Sequence, residues 1–543
     1  MNKKILIASA WPYANGSLHI GHLAALLPGD VIARYHRACK DDVYYVSGSD
    51  CHGTPVALRA KAEGRSPEEV SDFYHKEFSD CFDRLGFSYD CYTKTSSKEH
   101  KAFIESFHKT LYEGDYVYEK TSPEAYCECC NSFLADRFVT GICPKCGAPA
   151  RGDQCDACGT VLDPENLECP VCAVCGSPVT FRDSTHLYIA ISKLEKELNN
   201  LLDNNTNWRK NAVAFTRRYI NEGLRDRALT RDLNWGIPVP KEGYENKTIY
   251  IWAENVLGYL SASKIICDKR GESFEELFGE NAKHYYVHGK DNIPFHTIIL
   301  PALLISHGKG LHLPDQIVSS EYLTLEGNKI STSRNYAIWV KDLLDKYDPD
   351  SLRYYFLANG PEKKDADFSW TEYVNNHNGE LLGAYGNFIN RSLSFINKYL
   401  GGYVPEGNIS PEWEDDLRKL YTSTADRIEK GNIKDALEGI FEIIRKANKY
   451  FDQEQPWKSR TCDPSACSNT LYNCTQIIAN LAVLLSPFLP FSSEKVCRWL
   501  NINTDWKFKT VASYFKLPEI EILFERLDKS VIEEEKSKLV NLS

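Results

Sequence analysis

Residues 4–22 read KILIASAWPYANGSLHIGH, and this stretch decides the fold. The short apolar run from Lys4 to Ala10 suits a buried strand, Pro12 and Asn15-Gly16 punctuate a turn, and Ser17 is placed to cap a helix reaching toward Arg37. Strand, turn and helix in that order predict the first unit of a nucleotide-binding α/β domain. His19 and His22 fall in the first helical turn, where unpaired backbone N–H groups and the positive end of the helix dipole attract phosphate oxygens. A single histidine there is ordinarily a surface residue. Two of them, with Gly21 between and a strand before, predict a grip on a triphosphate.

The remaining chain sets bounds on what such a unit can belong to. At 543 residues it is too long for one core and divides into three or four domains. Its 43% hydrophobic and 26% charged residues are an ordinary globular composition. No apolar run approaches the ~20 residues of a membrane helix. Lys3-Lys4 and the short run after them lead into a turn without a small-residue cleavage site, so a cytoplasmic protein is expected. The net charge of −11 argues against non-specific attraction to nucleic acid and against DNA as a partner. An RNA partner would have to be met by local patches. Of 19 cysteines, ten lie between Cys127 and Cys175, which points to metal rather than to a disulfide framework.

Cys143-x-x-Cys146 and Cys155-x-x-Cys158 are separated by eight residues, the arrangement of two knuckles around a structural zinc. Gly147 and Gly159 follow each pair and permit the tight turn. Cys127-x-x-Cys130 and Cys172-x-x-Cys175 flank this set as a possible second site, with Cys129 and Cys169 to spare. Upstream, Asp42–Gly48 reads as a second strand feeding Asp50, a residue equally able to cap the next helix, and 66–118 reads as helices. Downstream, Lys247–Trp252 and Tyr285–Asp291 read as strands, and Glu326–Arg334 as a polar flexible loop rich in cations and hydroxyls. From Trp370 the pattern is helical: Leu381, Tyr385, Phe388, Ser392, Ile396 and Tyr399 share one spacing, and Cys474, Ile477, Ile478 and Leu481 another. Trp457, next to Pro456 in a polar run, is a poor core residue and a good platform for an unpaired base.

These segments, in this order from residue 4 to about residue 500, resemble the class I aminoacyl-tRNA synthetases, and among them the zinc-knuckle-containing methionyl-tRNA synthetase family. Leu18–His22 matches the family's HIGH signature and Lys329–Ser333 its KMSKS loop, with Thr332 where a lysine is usual. The resemblance implies a Rossmann-like catalytic domain with a zinc-knuckle insertion, followed by an all-α anticodon-binding bundle. It divides the chain into a first catalytic half at 1–118, the insertion at 119–232, a second catalytic half at 233–320, the KMSKS-type loop and linker at 321–370, the bundle at 371–520 and a tail at 521–543. It implies catalytic roles for His19, His22, Lys329, Thr332 and Arg334, and ATP contacts at Tyr13, Asn15, Gly16, Gly21, Gly289, Asp291, Ser331 and Ser333. Methionine would lie among Trp11, Tyr13, Asp50, Trp252, Tyr259 and His296, where aromatic walls suit a thioether. Asn387, Arg391 and Trp457 would read the anticodon of initiator and elongator methionine tRNA. Zn²⁺ is expected as a structural metal and Mg²⁺ with ATP. A monomer is expected, because no further module fits in what remains. A simple nucleotidyltransferase would need no helical RNA-reading domain, and a non-catalytic zinc RNA-binding protein would need no phosphate-gripping loops.

Overall fold

The computed structural model describes residues 3–134, 138–152, 155, 157–158, 160, 162–205, 207–332 and 336–540. Strand β1 (Lys4–Ser9) is the middle of a five-stranded sheet, and its residues Ile5–Ala8 are wholly buried because layers cover both faces. On one side of it lie β2 (Asp42–Ser49) and then β3 (Cys91–Lys94). On the other lie the strands Ala282–Gly289 and Gln316–Ser320. All four pairings are parallel. The chain therefore winds outward in one direction from β1 and later in the other. The crevice beyond the carboxyl ends of β1 and Ala282–Gly289 is the switch point at which such sheets bind ligands.

Helix α1 (Ile20–Ala38) follows β1 and is buried along most of its length, held between the sheet and a helical bundle. Asp30 on α1 is fully buried and 2.7 Å from the equally buried Arg353, which also donates to the carbonyls of Leu85, Pro487 and Phe488. One guanidinium thus ties the first helix to the bundle. The bundle is built from Asn387–Tyr399, Pro411–Glu429, Ile433–Glu454, Pro464–Leu485 and Pro490–Leu500. Pro464–Leu485 runs through its centre and buries Cys474, Ile477, Ile478 and Leu481 as their spacing predicts.

The structure corrects several sequence expectations. α1 starts at Ile20 with His19 as its cap, because an imidazole nitrogen takes the place a serine oxygen at position 17 was expected to fill. Cys91–Lys94, four residues inside an otherwise helical region, is an edge strand. The Lys247–Trp252 run yields only a two-residue strand, Thr248–Ile249, paired outside the main sheet, and Ile251–Glu254 turns helical. Of the loop expected at Glu326–Arg334, residues 326–329 belong to a hairpin over 323–329, turned by Glu326 and Gly327 at φ of 45° and 78°, and 333–334 lie outside the described residues. Tyr399 is 40% exposed and leaves the buried face that its spacing suggested. The Glu- and Lys-rich tail, which the sequence reads as a final helix or a frayed end, does close in a helix, Ser530–Val540, and Glu535 within it sits 2.8 Å from Lys346.

Candidate active site at the sheet switch point

The two histidines at the start of α1 form a reciprocal cap. Nδ1 of His19 accepts from the N–H of Gly21 at 3.1 Å, and Nδ1 of His22 accepts from the N–H of His19 at 3.2 Å. A backbone N–H can only donate, so both Nδ1 atoms lack a proton and each neutral ring carries its hydrogen on Nε2. Burial pushes His19 well below the ordinary imidazole range, helped by His22 nearby, and pushes His22 down to about 4. The site thus holds two neutral Nε2–H donors, with ring centres 4.0 Å apart. Gly21 is required here, since a Cβ would fall 2.8 Å from Cε1 of His19.

The turn after β1 is clipped to the loop after β2. Ala14 N–H donates to Asp50 O and Asp50 N–H to Pro12 O, both at 2.8 Å, and Cβ space at Gly16 is open. Asp50 is 1% exposed; Oδ1 accepts from the His52 N–H at 3.3 Å, and Oδ2 has no hydrogen-bond partner in good geometry among the described residues, with the Asn255 side chain beside the carboxylate. Burial drives its pKa well above the carboxylate range, with nearby Glu254 adding to the effect. It does not cap the following helix, whose cap is Gly53. A buried, unpaired carboxylate oxygen is costly unless a ligand cation meets it.

Aromatic rings surround this oxygen's neighbourhood. Trp252 stacks on Phe295 with centres 3.5 Å apart and meets Tyr13 edge-on at 6.1 Å. The Tyr259 hydroxyl bonds to Nε2 of His296 at 2.8 Å, and Nδ1 of His296 bonds to the Asn292 carbonyl. Trp11 lies behind Tyr259 in the core, its ring so close over Gly48 and Gly258 that a Cβ on either would approach to 2.8 Å. The Trp252 helix and the Asp50 loop are locked together by Glu254, whose carboxylate is 2.5 Å from Nδ1 of His52. Phe295 and Glu254 lie in runs that the sequence matches to the family, but no role of their own is legible there, although each is within two residues of a residue singled out.

The hairpin reaches the same crevice. Ile20 N–H donates to Ile338 O at 3.1 Å and Val340 N–H to Leu18 O at 2.8 Å, so the chain following the hairpin pairs with the start of α1. Ile330 lies 4.0 Å from a Cβ built on Gly21. Lys329 is exposed and makes no ion pair among the described residues; Thr332 is exposed as well. Ser331 pairs with Tyr336, while Ser333 and Arg334 lie outside the described residues. Gly289 ends its strand with open space where a Cβ would sit, and Asp291 accepts from the Tyr322 hydroxyl.

Two further clusters stand away from the sheet. Cys127, Cys130, Cys172 and Cys175 form one and Cys143, Cys146, Cys155 and Cys158 the other, all ligand atoms within 4.8 Å of one another. The closest sulfur pairs in the two sets are 3.4, 3.9, 3.8 and 3.6 Å apart. A tetrahedral zinc–thiolate site with bonds of about 2.3 Å has edges of about 3.8 Å, so both sets fit the ion, and a disulfide would need about 2.05 Å. Gly147 and Gly176 turn their knuckles at φ of 71° and 74°, and Gly159 is outside the described residues. In the bundle, Asn387 and Arg391 lie one turn apart on the same helix, and the Arg391 guanidinium is 4.4 Å from the Phe451 ring and 6.0 Å from that of Trp457. Trp457 is 44% exposed, at the second position of the short helix Pro456–Cys462.

A parallel sheet with a histidine-capped helix at its switch point, a hairpin carrying Lys329 beside it and a helical bundle after it defines a class I synthetase architecture. The family model for class I tRNA synthetases (M) matches residues 5–393, and that for the anticodon binding domain of methionyl tRNA ligase matches 404–531. The chain is 52% identical over 540 residues to the methionine–tRNA ligase of Bacillus cereus (strain Q1), covering 98% of this chain and 99% of that one. It is 52% identical over 538 residues to methionine–tRNA ligase 1 of Alkaliphilus oremlandii (strain OhILAs), with the same coverage. The chain belongs to the class I methionyl-tRNA synthetase family. A solved Mycobacterium tuberculosis methionyl-tRNA synthetase bound by methionyl-adenylate shares the fold, with a TM-score of 0.81 at 23% identity over 96% of this chain and 100% of that one.

Proposed function

We propose that this chain is a methionine–tRNA ligase that joins methionine to AMP at the expense of ATP and then transfers the methionyl group to the 3′ end of methionine tRNA. The observation that carries this reading is the pairing, in one crevice, of two neutral Nε2–H donors with a buried Asp50 carboxylate beside an aromatic wall. Asp50 Oδ2 takes the α-ammonium of methionine, and Tyr13, Trp252, Tyr259 and His296, backed by Trp11, enclose the thioether. A carboxylate oxygen of methionine attacks the α-phosphorus of ATP, and pyrophosphate leaves with the electron pair of the broken P–O bond. His19 and His22 donate hydrogen bonds to the phosphate oxygens where charge gathers, and Lys329 adds a cation from the hairpin, with Thr332 and Arg334 alongside. Tyr13, Asn15, Gly16, Gly21, Gly289, Asp291, Ser331 and Ser333 form the bed for ATP. Mg²⁺ accompanies ATP and neutralises the triphosphate.

In the second step a terminal ribose hydroxyl of the tRNA attacks the methionyl carbonyl and AMP departs. Asn387, Arg391 and Trp457 read the anticodon in the bundle at 371–520, while the halves at 1–118 and 233–320 carry the chemistry with the hairpin and linker at 321–370. Each cysteine set in the insertion at 119–232 would hold a structural Zn²⁺, since four thiolates would leave no open position for substrate. The chain acts as a monomer, working in the cytoplasm where charged tRNA is used. Among the described residues, no helix is long and apolar enough to cross a membrane. Charging assays with initiator and elongator methionine tRNA test the reading: methionyl ester should form on both, and absence of ester on either, with methionine and ATP present, would overturn it.

A further inference from the structure

Eleven large apolar side chains are exposed among the described residues, and four of them, Tyr399, Tyr403, Trp457 and Tyr514, gather at one end of the bundle. Three of these rings lie near cations. The Arg460 guanidinium lies 4.1 Å from the centre of the Tyr399 ring, Lys516 lies 4.3 Å from that of Tyr403, and Arg391 stands by Trp457. Asn387, Arg391, Phe395 and Tyr399 follow one another every four residues along a single helix, and the Phe395 and Tyr399 rings are 4.6 Å apart. Trp457 and Arg460 are three apart on the facing helix, so the two helices meet twice. The first meeting is the proposed anticodon site. The two meetings are ~12 Å apart along the first helix and ~4.5 Å apart along the second, near enough for successive bases of one strand to lie on Trp457 and on Arg460.

Arg460 has no carboxylate partner among the described residues, whereas Arg391 bonds to Asp452 at 2.5 Å. A guanidinium backed by a phenol ring offers a flat, cationic face, which is what an unpaired base above a phosphate backbone stacks on. In a chain of net charge −11, such local cations must do the work of attracting RNA. We propose that Tyr399 and Arg460 form a second stacking platform, which takes an unpaired nucleotide of the tRNA anticodon loop adjoining the triplet. This rests on the anticodon reading above.

The test uses the full-length chain with methionine tRNA transcripts, either intact or abasic at one of the two loop positions flanking the triplet. Arg460→Ala and Tyr399→Leu should each raise KM for intact tRNA about five- to fiftyfold, with methionine-dependent ATP–pyrophosphate exchange unchanged. On one abasic transcript the unaltered protein should fall to the level of the variants, and the variants should lose nothing more. Arg460→Lys, which keeps the charge and loses the plane, should behave like Arg460→Ala. Unchanged KM in Arg460→Ala and Tyr399→Leu, full losses persisting on both abasic transcripts, or recovery by Arg460→Lys would overturn the platform. Trp457→Ala is measured beside them: if it leaves KM unchanged the anticodon reading fails, and if Arg460→Ala and Tyr399→Leu do so while Trp457→Ala does not, the platform alone fails.

Discussion

At the level of single residues, the proposed chemistry turns on the protonation of two imidazoles. His19 and His22 spend Nδ1 on the backbone of their own helix start, and burial keeps both rings neutral, so each presents one N–H to the crevice. A donor of this kind stabilises charge that develops during reaction without adding a buried cation to the resting site. His22→Ala should therefore slow methionine-dependent exchange by two to three decades, about 3–4 kcal/mol, while methionine affinity changes little; an equal loss in both would assign His22 to binding. The same protonation state predicts the pH dependence. Neutral donors with pKa values below the ordinary 6.5 leave the rate level between pH 8 and 6, whereas imidazolium donors would make it climb as pH falls through 6.5. A rise toward pH 6 in single-turnover adenylate formation would contradict the assignment.

At the level of elements, what the sequence allowed one to read depended on how local the signal was. The β1–turn–α1 unit and both cysteine sets announce themselves within a few residues, and the structure assembles all eight thiols into two sets at tetrahedral spacing. Cys91–Lys94 could not be read this way: four residues between helices carry no period, and their strand state comes from pairing with β2. The run at 247–252 has strand composition, yet Ile251–Glu254 coils because its register must bring Trp252 to the aromatic wall and Glu254 to His52. Phe295 and Glu254 were hidden for a related reason, since their roles depend on partners 43 and 202 residues away. The knuckles give the prediction at this scale. Purified protein should hold two equivalents of zinc by elemental analysis, and Cys143→Ser or Cys127→Ser should lower the melting temperature and expose the insertion to protease while exchange at low temperature persists. Loss of exchange in the folded variant would mean that the metal serves the reaction.

Across the molecule, the catalytic sheet and the bundle share one continuous buried core, and the Asp30–Arg353 pair is a polar pin inside it. Burial raises the Asp30 pKa, but Arg34 and Arg353 more than offset that and hold it down to about 2. A carboxylate depressed in the folded state stabilises the protein above its unfolded pKa of about 3.9. That contribution is lost as pH falls from about 4 toward 2. Asp30→Asn, which leaves Arg353 buried without a counter-charge, should cost about 3–5 kcal/mol at pH 7, with the difference from the unaltered protein shrinking below pH 4 in denaturant titrations. A difference that stays constant down to pH 2 would show that the pair is not ionised as drawn.

The account's central claim is that the crevice beyond β1 activates methionine with ATP. Exchange of labelled pyrophosphate into ATP, measured without tRNA across the twenty amino acids, tests this most directly. Methionine should support exchange at least a hundredfold above every other amino acid, a preference of about 2.7 kcal/mol; no exchange with methionine, or an equal rate with leucine or isoleucine, would contradict the account.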